Sequence, residues 1–149
     1  MTITHLLLDI EGTTCPVSFV SAVLFPYAKQ SLSSYLNDHQ EDSDLKSILQ
    51  AAEREWDGDS SPESINLRQA TRDQNLNLID SLKVYFEHLI NVDRKSTALK
   101  DLQGKIWDNG YRKGDITSHL FNETTECLKR WHRRRLSLSV YSSGSIQAQ

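Results

Sequence analysis

Asp9 and Glu11 stand two residues apart in the stretch His5-Leu6-Leu7-Leu8-Asp9-Ile10-Glu11-Gly12-Thr13-Thr14. On one loop, two carboxylates at that spacing share a small volume. They suit an oxygen-seeking cation, and they suit nucleophile and acid/base chemistry. The leucines before Asp9 form a short apolar run bounded by turn residues, the pattern of a buried strand in a parallel sheet. Open α/β sheets bind ligands just beyond the carboxyl ends of their strands, and Asp9 falls there. Taken alone, the same string also describes a strand ending in a solvated Asp and turning at Gly12. Cys15 and Cys127 make no metal-type spacing, so free thiols in a reducing compartment are expected.

The elements that must position this pair follow from periodicity. Pro16 to Leu24 can start a short helix, and Phe25, which precedes Pro26, is expected outside the helical region. Pro26 then opens a helix with Leu32, Tyr35 and Leu36 on one side, broken at Asn37-Asp38-His39. Leu45, Ile48, Leu49, Ala52 and Trp56 recur at helical spacing and predict a helix over Asp44 to Glu55 with one buried face. Trp56 to Pro62 reads as a loop, with Asp57 and Asp59 in a solvated turn. A polar helix follows to about Gln74. Ile79, Leu82, Phe86, Leu89 and Ile90 predict an amphipathic helix. Another, with Leu99, Leu102, Ile106 and Trp107, starts near Ser96 and ends at Gly110 or Gly114. Asn122 is the expected cap of a helix bearing Cys127, Leu128 and Trp131. That helix ends in Arg133-Arg134-Arg135, cations favoured at a helix C-terminus by its dipole. Leu136 to Tyr141 alternates and is rich in strand formers, which predicts a second strand.

With a right-handed crossover the two strands are parallel, and Asp9, Glu11 and Ser142 converge at one sheet edge. The helical block between them is too long for a simple crossover and reads as a cap over that edge. The 149 residues are one domain's worth of chain, and the apolar and charged fractions, 38% and 25%, are those of a soluble globular protein. A net charge of −3 gives no global field toward nucleic acid or anionic membrane. The chain has neither a membrane-length apolar run nor a basic-then-apolar N-terminus. A cytoplasmic protein is the expectation.

The string Asp-x-(Asp/Glu)-Gly-Thr after an apolar strand resembles the first motif of the haloacid-dehalogenase-like phosphatases. Asp9-Ile10-Glu11-Gly12-Thr13-Thr14-Cys15-Pro16-Val17-Ser18-Phe19-Val20 and Val23-Leu24-Phe25-Pro26-Tyr27-Ala28 are similar to the enolase-phosphatase (acireductone synthase) branch of methionine salvage, where Glu stands at position 11. Val140-Tyr141-Ser142-Ser143-Gly144-Ser145 resembles the second motif. Lys100-Asp101-Leu102-Gln103-Gly104-Lys105-Ile106-Trp107, with Gly110-Tyr111-Arg112-Lys113-Gly114, resembles the cap. The resemblance runs from Leu7 to Gln149 in family order.

It implies an α/β fold: a partial haloacid-dehalogenase-like, Rossmann-like core with a helical cap inserted after the first strand. The implied divisions are 1–18 and 117–149 for the core and 19–116 for the cap. It also implies magnesium-dependent chemistry on a small phosphorylated diketone by a monomer. Asp9 would attack phosphorus and hold Mg2+. Glu11 would protonate the leaving oxygen, then activate water, its backbone carbonyl facing the metal. Ser142, with the amides of Ser143 and Gly144, would hold the phosphoryl oxygens. The superfamily's third motif, a Lys, and its fourth, an acidic cluster, would follow Gln149. The chain therefore reads as C-terminally truncated, with little activity expected of it alone. The alternative is a non-catalytic protein that binds a phosphorylated ligand or a partner.

Overall fold

The computed structural model describes residues 2–142. β1 (His5–Leu8) leads through a loop into α1 (Val17–Phe19), a π-helical turn (Val20–Leu24) and α2 (Phe25–Asp38), which run on without a break. Then come α3 (Ser43–Asp57), α4 (Pro62–Asp73), α5 (Leu78–Asn91), α6 (Thr97–Lys113), α7 (Thr124–Arg133) and β2 (Ser137–Val140).

Phe25 departs from the expectation: it is helical, at φ −65° and ψ −45°. Its N–H reaches the carbonyl of Val20, five residues back, rather than four. The widened turn makes room for the Pro26 ring, which a regular helix would force against the preceding turn. The other helices follow their apolar stripes. Leu45, Ile48, Leu49, Ala52 and Trp56 are all buried on α3. They pack on α6, and α2 packs on both α5 and α6. Leu36, Leu82, Phe86 and Leu102 have 0% exposure at the centre of this core. Ser96 starts α6 as expected: its hydroxyl accepts the N–H of Leu99 at 3.0 Å. Glu55 reinforces that start, accepting from the Ser96 hydroxyl at 2.5 Å and the Ala98 N–H at 3.0 Å.

The two glycines proposed as ends of α6 have different roles. Gly114 is the C-cap, at φ +80°. Gly110 lies inside the helix, where a Cβ would sit 2.6 Å from Cε1 of Tyr27, so its missing side chain is what lets α2 and α6 approach.

Asp59 is a correction. It is buried rather than solvated. One oxygen accepts the N–H of Ser61 at 3.0 Å. The other accepts the Ser64 hydroxyl and pairs with the Arg94 guanidinium at 2.6 Å. Burial by itself pushes this carboxyl up. The hydrogen bonds from Ser64, Ser61 and Arg94 outweigh it and hold Asp59 well below the usual carboxylate range. Around the same corner the Trp56 indole N–H donates to the Ser64 carbonyl at 3.1 Å, and its ring stacks on Tyr85 with centroids 4.6 Å apart.

β1 and β2 pair in parallel, with His5 opposite Ser137 and Leu8 opposite Val140. The expected burial of β1 is only half met. Leu6 and Leu8 are half-buried, whereas Leu7 is 69% exposed. Side chains alternate across a strand, and α7 packs against one face of the pair. Among the described residues no element covers the other face. Asn122 does not cap α7 either; the helix begins at Thr124, after Glu123.

Two outcomes follow from this packing. Asp59→Asn should cost about 2 kcal/mol in urea unfolding at neutral pH, because it leaves Arg94 without its charge partner. A depressed carboxyl stabilises the fold above the unfolded value of about 4, and that stability is lost as pH falls through the lower folded value. The gap between wild type and variant should therefore narrow below about pH 4. Gly110→Ala should destabilise the protein in the same assay, although Ala favours helix by about 1 kcal/mol. Moving Tyr27 breaks its 2.9 Å hydrogen bond to Asp115. Overpacking costs about 1–3 kcal/mol.

Candidate active site

The loop after β1 is built on one carbonyl. Ile10 O accepts the N–H groups of Thr13, Thr14 and Cys15 at 3.2, 2.9 and 3.1 Å. It also accepts the Thr14 hydroxyl at 3.1 Å and the Cys15 thiol at 3.6 Å. Gly12 closes the turn from its N–H to the Cys15 carbonyl, at 2.7 Å. At φ +75°, and with a Cβ position 3.3 Å from Val17, it is a place for glycine. Asp9 and Glu11 both stay exposed on this turn. One Asp9 oxygen accepts the N–H of Ile10 at 2.8 Å.

Beneath the turn Cys15 is 5% exposed. Burial pushes its thiol up, and the charges of Glu11 and Asp9 push it further. A thiol kept protonated is a poor nucleophile. Tyr111 of α6 lies within the electrostatic reach of Cys15. Burial raises its phenol first, the Cys15 charge adds to that, and a hydrogen bond with Ser118 opposes it.

The second strand arrives in register. Tyr141 N–H donates to the Leu8 carbonyl at 2.8 Å, which places Ser142, half-buried, beside the start of the carboxylate loop. Asp9, Glu11 and Ser142 therefore meet at one sheet edge. Ser143 and Gly144 lie outside the described residues. A mostly apolar groove of about 240 Å³ runs beside this edge, between Leu8, Thr13 and Thr14 on one side and Cys127, Leu128 and Trp131 of α7 on the other. A larger groove, about 530 Å³, opens among Tyr35, His39, Lys105 and Arg112. Its charges pair with one another: His39 with Asp42 at 2.7 Å, Lys105 with Asp44 at 2.5 Å and Arg112 with Asp108 at 3.1 Å. Among the described residues, neither Asp9 nor Glu11 is in such an ion pair.

One connection had no signal in the sequence. The Thr14 carbonyl accepts the N–H of Phe121 at 3.0 Å and the Thr124 hydroxyl at 3.1 Å, tying the carboxylate loop to the start of α7. As for a metal, among the described residues no three His, Cys, Asp or Glu side chains gather to hold one. Two exposed carboxylates on one turn nevertheless fit magnesium, which binds proteins through one or two carboxylates and keeps several waters.

No family model matches the chain. Among curated proteins it is 90% identical, over its whole length, to enolase-phosphatase E1 of Parasynechococcus marenigrum (strain WH8102), of which it covers 61%. It is 54% identical over 97% of its length to enolase-phosphatase E1 of Synechococcus sp. (strain CC9605), of which it covers 58%. The crystal structure of the UTR4 protein of Saccharomyces cerevisiae matches 99% of this chain and 55% of that one, with a TM-score of 0.63 and 31% identity. The fold is thus α/β, a partial haloacid-dehalogenase-like core with a helical cap inserted after the first strand. The chain spans about three fifths of the length of the curated relatives it matches. Over that span the chain is similar, at 90% identity along its whole length, to enolase-phosphatase E1.

Proposed function

We propose that this chain carries the nucleophile half of an enolase-phosphatase site. The substrate is 2,3-diketo-5-methylthiopentyl-1-phosphate and the products are the acireductone and inorganic phosphate, a step of methionine salvage in the cytoplasm. The observation that carries the reading is the turn built on Ile10 O, which presents Asp9 and Glu11 together, exposed, at the sheet edge where Ser142 arrives.

Asp9 attacks phosphorus in line through one carboxylate oxygen. The bond from phosphorus to the substrate oxygen breaks, and Glu11 gives that oxygen its proton. Glu11, now ionised, takes a proton from water. The water attacks the aspartyl-phosphate, releases inorganic phosphate and restores the Asp9 carboxylate. Ser142 donates its hydroxyl to a phosphoryl oxygen. The Asp9 carboxylate and the backbone carbonyl of Glu11 would hold magnesium, which when bound would supply charge screening between two anions that otherwise repel each other. Cys15 stays protonated beneath the turn and leaves the attack to Asp9. The enolisation that precedes phosphate release rests on the family likeness. We assign residues 1–18 and 117–149 to the core, residues 19–116 to the cap, and a monomer to the working state.

A second reading is a non-catalytic protein that binds a phosphorylated ligand or a partner. The exposure of Leu7, Val140 and Tyr141, at 69%, 56% and 76%, favours it, because these side chains offer a surface for contact.

Phosphate release from the phosphorylated diketone, with magnesium present, separates the two. The wild-type chain should release phosphate slowly, and Asp9→Asn should lower the rate by about 1,000-fold, roughly 4 kcal/mol of barrier. Equal rates in the two proteins would remove Asp9 from the reaction. A wild-type chain that binds inorganic phosphate in a titration yet releases none from the diketone would establish the second reading.

A further inference from the structure

Thr14 is fastened twice. Its hydroxyl donates to Ile10 O, the carbonyl on which the carboxylate turn is built, at 3.1 Å. Its own carbonyl accepts both the Phe121 N–H, at 3.0 Å, and the Thr124 hydroxyl, at 3.1 Å. Thr124 is the first residue of α7, and α7 packs against β2, the strand that delivers Ser142. The loop and the far strand are thus joined by two routes. One is the strand pairing that ends with Tyr141 N–H on Leu8 O, and the other is the Thr14–Thr124 contact.

The second route controls a degree of freedom that strand pairing leaves open. A pair of four-residue strands fixes the start of the loop at Leu8, but nothing in that ladder holds residues 10–15 against rotation about their ends. A carbonyl with two donors, 3.0 and 3.1 Å away on another element, does hold them. Asp9 and Glu11 cannot be held by packing, since both are exposed. Their placement is therefore a backbone matter, and the Thr14 carbonyl is one point at which that backbone is fastened to the element that leads into β2. The Thr124 hydroxyl is the side-chain part of that fastening, because Phe121 contributes only its main-chain N–H. Thr124 is also half-buried, so water competes less for the bond than at an open surface.

We infer that Thr124 is a positioning residue for the carboxylate turn: its hydroxyl, through the Thr14 carbonyl, keeps Asp9 and Glu11 in register with Ser142. The role rests on the proposed phosphatase site for its functional meaning, but not for its geometry.

Thr124→Val removes the hydroxyl and keeps the shape, and Thr124→Ser keeps the hydroxyl and removes the methyl. Hydrogen exchange of the Thr14 and Cys15 amides reads the turn directly, with the amides of Leu102 and Ile106 as an internal reference for the buried core. Thr124→Val should speed exchange of the turn amides by about five- to tenfold, the worth of one hydrogen bond, with the reference amides unchanged. Thr124→Ser should match wild type. Under phosphate release, Thr124→Val should lower kcat by a similar factor with KM held within about twofold, because orientation and not substrate binding is lost. Turn amides that exchange alike in wild type and Thr124→Val would overturn the assignment. So would turn and reference amides that rise together in both variants, since that is general loosening of the fold. If the wild-type chain releases no phosphate, the phosphatase reading of this chain fails, while the exchange result still decides the role of Thr124.

Discussion

The parallel pairing of two four-residue strands from opposite ends of the described chain is the constraint on which the rest depends. A two-stranded sheet is marginal by itself, and here one of its faces lacks a cover among the described residues. Its closure must be prepared by what lies between. Loop-closure entropy grows only slowly with the length of chain enclosed. A helical block that folds on its own core reduces the flexible part to the short segments at each end. The buried cluster from Ala28 to Ile116 forms such a block. The Thr14 carbonyl then fastens the returning chain beside β1 before β2 begins. Strand pairing, cap packing and the loop anchor are three parts of one closure, and the candidate site sits where they meet.

Much of this was legible in the sequence where the signal was periodic. The five apolar positions of α3 are all buried, and Ser96 and Gly114 bound α6 as their residue types demand. The failures share a cause. Phe25 was expected outside the helix because Pro26 follows it, yet a single hydrogen bond to Val20 shifts the helical register and accommodates the ring. Asp59 was expected in water because its neighbours are turn formers. Its partner Arg94 lies 35 residues away, and no local pattern announces it. Asn122 is a good capping residue by type, but the chain turns into α7 two residues later, where the Thr124 hydroxyl serves Thr14 instead. Local chemistry fixed what each residue could do, and tertiary contacts chose among the options. The site follows the same rule. The convergence of Asp9, Glu11 and Ser142 at one end of the strand pair was readable from strand ends and spacing, whereas the Thr14–Thr124 contact was not.

The neighbourhood of Cys15 shows how the loop separates its groups. The thiol is buried, and two carboxylates sit close enough to raise its pKa. It remains a neutral donor to Ile10 O, which makes it part of the scaffold of the turn. The charges that keep the sulfur protonated belong to the residues assigned the chemistry. In the proposed site the attack falls to an exposed carboxylate, and the Cys15 thiol beneath it is held in its less reactive form.

Asp59 and Asp9 carry the same carboxyl group and meet opposite fates. Asp59 is buried and accepts hydrogen bonds from a backbone N–H, a hydroxyl and a guanidinium. A carboxylate so fully partnered has its lone pairs engaged and gains nothing from a cation or a phosphorus atom. It joins the end of α3, the start of α4 and the loop between α5 and α6 into one corner. Asp9 accepts a hydrogen bond from the adjacent N–H and otherwise faces solvent. Its position comes from the backbone, through Ile10 O, Gly12 and Thr14, so its oxygens need not be spent on holding it in place. A nucleophile must be fixed in space while remaining chemically unsatisfied, and a turn knotted around one carbonyl meets both conditions. That division, partners for the structural carboxylate and backbone geometry for the exposed one, is the physical ground for the proposal that the chemistry lies at the end of β1.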